Sequence, residues 1–194
     1  MSEFISEKTV EDILSSDKSI LADILSLNPA DLSLVARQKP LNSGKLDLLY
    51  MYDNELLLIE LKIVGFYEDI IRQVNGYWDD LLELQSQHRL VNTVVRKIIL
   101  VREATPRDIE KCNQYSIRLL TYKPEHVLSK YYENFKELSY FLTLQSGDYG
   151  VVRLGLLNMT LRSLSQGKSV RDICEAEGRS EKTIRNRLSV ATLL

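Results

Sequence analysis

Residues Gly44 to Lys62, GKLDLLYMYDNELLLIELK, decide the fold of this chain. Two apolar runs flank the pair Asp53-Asn54, and these residue types tolerate the left-handed backbone that a two-residue hairpin loop requires. We therefore predict two antiparallel strands joined by a tight turn. With Asp53 and Asn54 as the loop, Tyr52 pairs with Glu55.

The same register places two carboxylates opposite each other. Counting outward from the loop puts Asp47 across from Glu60, with their Cβ atoms about 5 Å apart, and Lys45 across from Lys62. Like charges at this distance repel each other, so we expect a cation between them, and carboxylate oxygens suit Mg²⁺ or Mn²⁺. Lys62 lies one pleat from Glu60, close enough to position or deprotonate a water near such a metal.

Both faces of the hairpin are apolar, which predicts that it is buried. An exposed face carrying ordinary surface charges is the alternative, but charges inside a buried sheet require a reason. The apolar residues are Leu46, Leu48, Tyr50, Leu57, Ile59 and Leu61 on one face, and Leu49, Met51 and Leu58 on the charged face.

An apolar stripe at helical spacing runs from Phe66 to Leu84 and predicts an amphipathic helix. Gln73 and Tyr77 are four residues apart, so their side chains project from the same face of this helix.

These residues carry a family resemblance. Gly-x-x-Asp from Gly44, Glu-x-Lys in the next strand and Gln-x-x-x-Tyr on the next helix resemble the PD-(D/E)XK nuclease superfamily, most closely the catalytic domain of NucS-type endonucleases. Leu27-Asn28-Pro29, after an amphipathic helix, is similar to that group as well, and the resemblance spans roughly residues 17 to 85. Leu46 occupies the position of the proline that gives the superfamily the first letter of its name.

The resemblance implies a metal-dependent endonuclease that hydrolyses phosphodiester bonds of DNA. Asp47, Glu60 and the carbonyl of Leu61 would hold Mg²⁺ or Mn²⁺, and Lys62 would position or deprotonate the attacking water. As further catalytic residues, Gln73 and Tyr77 would orient Lys62 or a DNA phosphate.

Family members usually carry one more acidic residue on the preceding helix. Glu11, Asp17 and Asp23 are the candidates here, and the sequence does not choose among them.

The order of predicted elements indicates an α/β fold with a mixed central β-sheet flanked by helices, as in restriction endonucleases. Further predicted strands cover Leu34 to Lys39, Asn92 to Val101 and Ser116 to Tyr122, and Thr105-Pro106 opens a short helix. The tyrosine-rich stretch that follows, to Tyr149, has helical spacing from about Glu125.

The C-terminal stretch has its own pattern, which predicts a small all-α domain. We expect a helix over Val151 to Leu164, a second over Ser169 to Glu175, a turn at Gly178 and a last helix from Ser180. The pattern resembles a helix-turn-helix of sigma factors and response regulators. We predict a nuclease-like domain over residues 1–147 and a helix-turn-helix domain over 148–194.

Basic residues concentrate in this tail, which predicts DNA binding. Arg179 in the turn and Lys182, Arg185 and Asn186 on the last helix are expected to face DNA. A helical cap or a dimerisation element is the alternative reading of the tail. The wider basic cluster is Lys168, Arg171, Arg179, Lys182, Arg185 and Arg187.

Composition is that of an ordinary globular protein. The chain has 194 residues, 44% hydrophobic and 27% charged, with a net charge of −2. We predict a cytoplasmic protein with reduced cysteines, because no signal sequence or membrane span is visible. A homodimer is left open, and the alternatives to a nuclease are a non-catalytic DNA-binding or assembly protein on the same scaffold, or a transferase using the same carboxylate pair.

Overall fold

A computed structural model describes residues 5–134, 143–145 and 151–189. Their contacts divide the chain into two compact units. The sheet unit is Leu14–Tyr122, and the C-terminal unit consists of Met1–Ile13 together with Lys123–Leu194. The domain boundary predicted between residues 147 and 148 lies outside the described residues and stays a prediction.

The sheet unit follows the element order predicted from the sequence. A short 3₁₀ turn at Pro29–Asp31 precedes the first strand. The elements up to residue 134 are α1 (Glu7–Ser16), α2 (Lys18–Leu25), β1 (Leu32–Leu41), β2 (Gly44–Tyr52), β3 (Glu55–Leu61), α3 (Asp69–Ser86), β4 (Val95–Val101), α4 (Pro106–Gln114), β5 (Ile117–Thr121) and α5 (Pro124–Asn134). Helix α1 begins in the C-terminal unit, and helix α5 belongs to that unit.

The hairpin forms with the predicted turn and register. Asp53 and Asn54 have φ values of 46° and 64°, the left-handed values that this loop requires. Tyr52 pairs with Glu55, and the antiparallel ladder continues from there to Leu48 opposite Ile59. The register therefore brings Asp47 and the end of β3 together.

Among the described residues, β1 to β5 form one mixed sheet in the spatial order β1-β2-β3-β4-β5. The pairs β1–β2 and β2–β3 are antiparallel, and the pairs β3–β4 and β4–β5 are parallel. Leu49 belongs to the core that α3 covers, whereas the neighbouring Tyr50 points to the opposite face, where its hydroxyl donates to the carbonyl of Leu14. Helices thus cover both faces, and the predicted α/β fold class is confirmed.

The helix predicted from Phe66 begins three residues later, at Asp69. The Phe66 amide donates to the carbonyl of Glu103, which keeps this segment extended beside the end of β4. Ile70, Val74 and Tyr77 lie on the buried face of α3, as the periodicity predicts.

The C-terminal unit contains two short strands that the sequence analysis assigned to helix. Thr143–Gln145 (β6) pairs antiparallel with Val151–Arg153 (β7). Residues of the β-branched type begin both segments and favour the strand over the helix. The helix predicted from Val151 therefore begins at Leu154.

Three helices follow, close to their predicted bounds: α6 (Leu154–Ser165), α7 (Val170–Glu177) and α8 (Glu181–Ser189). Each contacts the other two, and α6 also packs on α5. Their buried apolar side chains are Leu157, Leu161, Leu164, Ile173, Ile184 and Leu188. Every helix of the described residues is too short or too polar to cross a bilayer.

We predict that Tyr50 makes the stability of the sheet unit sensitive to alkaline pH. Burial raises the pKa of Tyr50 to about 12, from an ordinary value of 10.0. The unfolded chain loses the phenol proton first, so stability is fully present below pH 10 and falls by about 2 kcal/mol as the pH rises to 12.

Urea unfolding between pH 8 and 11.5 tests this prediction. Tyr50→Phe should be about 1 kcal/mol less stable than wild type at pH 8, because it lacks the bond to Leu14, and should lose less stability above pH 10. Tyr67→Phe, at an exposed position, is the control. Equal alkaline losses in wild type and Tyr50→Phe would contradict the assignment.

Candidate functional site

Two carboxylates lie in the interior of the sheet, at the end of the β2–β3 ladder. Glu60 on β3 is fully buried, and Asp47 on β2 is 8% exposed. Their neighbours along the strands, Leu46, Leu48 and Leu61, are fully buried as well. Removing two negative charges from water costs several kcal/mol each unless they are compensated.

Lys62 provides this compensation. Its Nζ lies 2.7 Å from Glu60 Oε1 and 3.8 Å from Asp47 Oδ2, and it donates to the carbonyl oxygen of Leu61 at 3.0 Å. The three groups predicted to hold a metal therefore converge on one cationic centre. The structure brings together the four residues Asp47, Glu60, Leu61 and Lys62.

Asp47 also accepts two hydrogen bonds, one on each oxygen. The Leu61 amide donates to Oδ2 at 2.9 Å, and the side chain of Gln38 donates to Oδ1 at 3.3 Å. The Leu61 amide lies just beyond the last ladder pair, Leu48 and Ile59. The carboxylate of Asp47 thus accepts the hydrogen bond of the Leu61 amide in place of a backbone carbonyl, at the point where the two strands separate.

Gln73 and Tyr77 are brought together on α3, as their spacing predicts. The Gln73 amide donates to the Tyr77 hydroxyl at 2.7 Å, and the backbone amide of Lys45 donates to the same oxygen at 3.2 Å. Tyr77 also packs on Gly44, where a Cβ would lie 3.0 Å from its hydroxyl. These bonds fix the start of β2, and a contact of either side chain with Lys62 stays a prediction.

Asp80 is a residue of this region that the sequence analysis missed. It lies one turn beyond Tyr77, is largely buried, and accepts a hydrogen bond at 2.7 Å from the backbone amide of Ser43. A carboxylate inside the apolar stripe of a helix was the available signal, since such a position requires a buried partner. Asp80 and Tyr77 together hold the β1–β2 turn against α3.

The three candidates for an upstream acidic residue differ in their surroundings. Glu11 is buried, Asp23 is exposed, and Asp17 caps α2 by accepting from the amide and the hydroxyl of Ser19. The cap gives Asp17 a structural role of its own. The choice among the three stays open.

The residues at the carboxylate pair fit a hard divalent cation. Mg²⁺ prefers oxygen ligands and is usually held by one or two carboxylates with water completing the shell. Asp47, Glu60 and the Leu61 carbonyl supply such oxygens, and the Lys62 ammonium already lies among them. The described residues contain no group of three or more His, Cys, Asp or Glu side chains that could hold a metal.

In the C-terminal unit, α7 and α8 are joined by the predicted glycine turn. Gly178 has a φ of 62° and ends α7, and Ser180 accepts from the Thr183 amide at the start of α8. Ser169 and Asp172 form a capping box at the other end of α7. The turn is therefore fixed by hydrogen bonds at each helix end.

The residues predicted to face DNA differ in exposure. Arg179, Lys182 and Arg185 are exposed, whereas Asn186 is half-buried. Arg185 forms an ion pair with Glu181 at 2.7 Å, one turn earlier on α8.

Arg187, counted from the sequence within the basic cluster, is in contrast a buried structural residue. Its side chain is 7% exposed and donates to Thr160 at 2.7 Å and to both carboxylate oxygens of Glu177, at 3.0 and 2.9 Å. The guanidinium joins α8 to α6 and α7. The prediction that Arg187 contributes to the exposed basic surface is wrong, because Glu177 and Thr160 draw it into the unit.

No protein-family model matches the chain, and no curated protein matches it. Among solved structures, a repair endonuclease from Pyrococcus abyssi is similar with a TM-score of 0.48 and 17% identity, over 61% of this chain and 47% of that chain. The EndoMS-dsDNA2 complex is similar with a TM-score of 0.41 and 17% identity, over 57% of this chain and 46% of that chain. The chain spans less than half the length of each.

We predict that Arg187→Ala destabilises the C-terminal unit by about 2 kcal/mol or more, because it leaves Thr160 and Glu177 without their shared donor. Arg185→Ala is the matched control on the same helix, since its exposed ion pair contributes little. Thermal unfolding followed by circular dichroism measures both. Equal melting temperatures for the two variants would contradict the structural role of Arg187.

Proposed function

We propose that the chain is a metal-dependent endonuclease acting on DNA, with the carboxylate pair as its active site. The observation that carries this proposal is the convergence of oxygens from Asp47, Glu60 and Leu61 on the ammonium of Lys62. A purely structural ion pair needs one acid and one base. Here one ammonium lies within 4 Å of two buried carboxylates, and paired carboxylates are the ligands that a divalent cation prefers.

Asp47, Glu60 and the Leu61 carbonyl would hold Mg²⁺ or Mn²⁺ in this proposal. The metal supplies positive charge that polarises the scissile phosphate. Lys62 would move from among the three oxygens and orient the attacking water from the adjacent position. The water would give up one proton to the solvent as its oxygen forms a bond to phosphorus and the bond from phosphorus to the leaving oxygen breaks, and the leaving oxygen would take up one proton from the solvent.

Charge favours this assignment over binding of a neutral substrate. A divalent cation together with Lys62 and two carboxylates gives the site a net positive charge. An anionic phosphate is then attracted to a centre that repels it when no metal is bound. Activity should therefore require the metal for binding the scissile phosphate as well as for the chemical step.

We further propose that α7 and α8 act as a helix-turn-helix that binds DNA. The chain as a whole is slightly acidic, so affinity for DNA has to come from local basic surface. Arg179 lies in the turn, and Lys182 and Arg185 lie on the first two turns of α8. In a helix-turn-helix, residues at the start of the second helix reach base edges in the major groove.

A non-catalytic DNA-binding protein on the same scaffold is a second candidate. One observation favours it: both oxygens of Asp47 accept hydrogen bonds, and Lys62 pairs with Glu60, so the cluster is well compensated without a metal. Isothermal titration calorimetry with Mn²⁺ separates the nuclease from the non-catalytic protein. Only the nuclease requires Mn²⁺ binding that is lost when Asp47 or Glu60 is substituted.

For the active site, we predict that Asp47→Asn and Glu60→Gln each lower cleavage of supercoiled plasmid in Mg²⁺ or Mn²⁺ by at least about 100-fold. Both substitutions keep the shape of the side chain, so the variants should stay folded by circular dichroism. Glu55→Gln, at the other end of β3, is the matched control and should cleave like wild type. Full cleavage by Asp47→Asn and Glu60→Gln would reject the site.

For DNA binding, the combined substitution of Arg179, Lys182 and Arg185 by Ala should weaken affinity. It should also reduce the slope of log K against log salt by roughly 0.9 for each phosphate contact that is lost. Fluorescence anisotropy at several salt concentrations measures both quantities. Arg162→Ala, an exposed arginine on α6, is the control, and an unchanged slope in the triple variant would instead indicate a structural cap.

A further inference from the structure

Gln38 has a backbone conformation that is unusual for its place in the fold. It lies inside β1 with a φ of 48°, in the left-handed region that costs a non-glycine residue of order 1 kcal/mol or more. The other described non-glycine residues with positive φ lie in turns or at helix ends: Ser26, Asp53, Asn54, His88 and Ser116. Among the described non-glycine residues, Gln38 alone has a positive φ within a strand.

The register places this residue opposite Asp47. Arg37 pairs with Leu48 and Lys39 pairs with Leu46, so that Gln38 and Asp47 occupy the position between these pairs. The unusual backbone and the buried carboxylate therefore lie side by side on neighbouring strands.

The side chain of Gln38 reaches the carboxylate. Its Nε2 donates to Asp47 Oδ1 at 3.3 Å, while the amide of Leu61 donates to Oδ2 at 2.9 Å. Donors on both oxygens restrict rotation of the carboxylate about its Cβ–Cγ bond. Each oxygen keeps a further lone pair for a cation.

We propose that Gln38 is a positioning residue for the metal-binding carboxylate of Asp47, and that its strained backbone is kept because it directs the amide at Oδ1. A neutral amide suits this role, since it orients a carboxylate without adding a positive charge that competes with the metal. The inference rests on the proposed function, because it assigns Asp47 the role of a metal ligand.

The two variants Gln38→Gly and Gln38→Ala separate strain from positioning. Gln38→Gly removes the backbone strain and the amide together, so it should be more stable than Gln38→Ala, while both variants should bind metal less well than wild type. Gln38→Ala removes the amide but keeps the strain. A residue that serves stability alone would not separate the two properties in this way.

The experiment compares wild type, Gln38→Gly, Gln38→Ala and Ser116→Gly. Ser116 has a φ of 55° at an exposed turn before β5, so Ser116→Gly relieves the same kind of strain elsewhere in the sheet unit. Melting temperature, Mn²⁺ affinity by titration calorimetry and the kcat and KM of plasmid cleavage are measured for each.

Gln38→Gly should melt about 2 to 4 °C above Gln38→Ala, and Ser116→Gly should melt about 2 to 4 °C above wild type. Gln38→Gly and Gln38→Ala should both weaken Mn²⁺ binding roughly 10-fold to 100-fold and lower kcat more than they raise KM. Ser116→Gly should leave metal binding and cleavage at wild-type values.

Wild-type Mn²⁺ affinity in Gln38→Gly overturns the inference, as does weakened binding in Gln38→Ala that Gln38→Gly restores, since the backbone would then be the cause. A wild-type protein that binds Mn²⁺ through Asp47 but cleaves no DNA overturns the proposed nuclease function instead, and the effect of the Gln38 variants on metal affinity is then judged on its own.

Discussion

The burial of two like charges is the constraint on which this structure depends. Asp47 and Glu60 lie inside an apolar sheet, where each uncompensated charge would cost several kcal/mol. Lys62 supplies positive charge to both, and Asp47 also accepts hydrogen bonds from Leu61 and Gln38. The end of the β2–β3 ladder is where these donors become available, because the strands separate there and leave the Leu61 amide without a ladder partner.

The surrounding scaffold keeps this arrangement in place from the helix side. Tyr77 and Asp80 on α3 bind the backbone amides of Lys45 and Ser43, so the turn that leads into β2 cannot shift without breaking both bonds. Gly44 lies between them, and its lack of a side chain allows the Tyr77 ring to pack directly on the backbone. The register of β2, and with it the depth of Asp47, is thus fixed at the turn as well as by the ladder.

The sequence predicts those parts of the site that depend on local patterns. Asp53-Asn54 predicts the turn, the turn fixes the register, and the register places Asp47 beside the end of β3. Gln38 could not be predicted, because a left-handed glutamine within a strand has no local signal and depends on a partner on the next strand. Arg187 was misassigned for a related reason: in the sequence it belongs to a basic cluster, and its burial depends on Glu177 and on Thr160 of another helix.

The ion pairs of the C-terminal unit rank its basic residues as partners for phosphate. Arg187 is buried with Glu177, and Arg185 is paired with Glu181 on the surface of α8. Within the part of the chain that the structure describes, Arg179 and Lys182 form no ion pair, so neither has to give up a partner in order to bind an anion. Exchange of the Arg185 pair for a phosphate costs no more than an exposed ion pair contributes, about 1 kcal/mol or less. Under the proposed function, Arg179 and Lys182, like the exposed Lys168, are therefore available to a phosphate without loss of a partner, and Arg185 follows by exchange while Arg187 keeps the helices together.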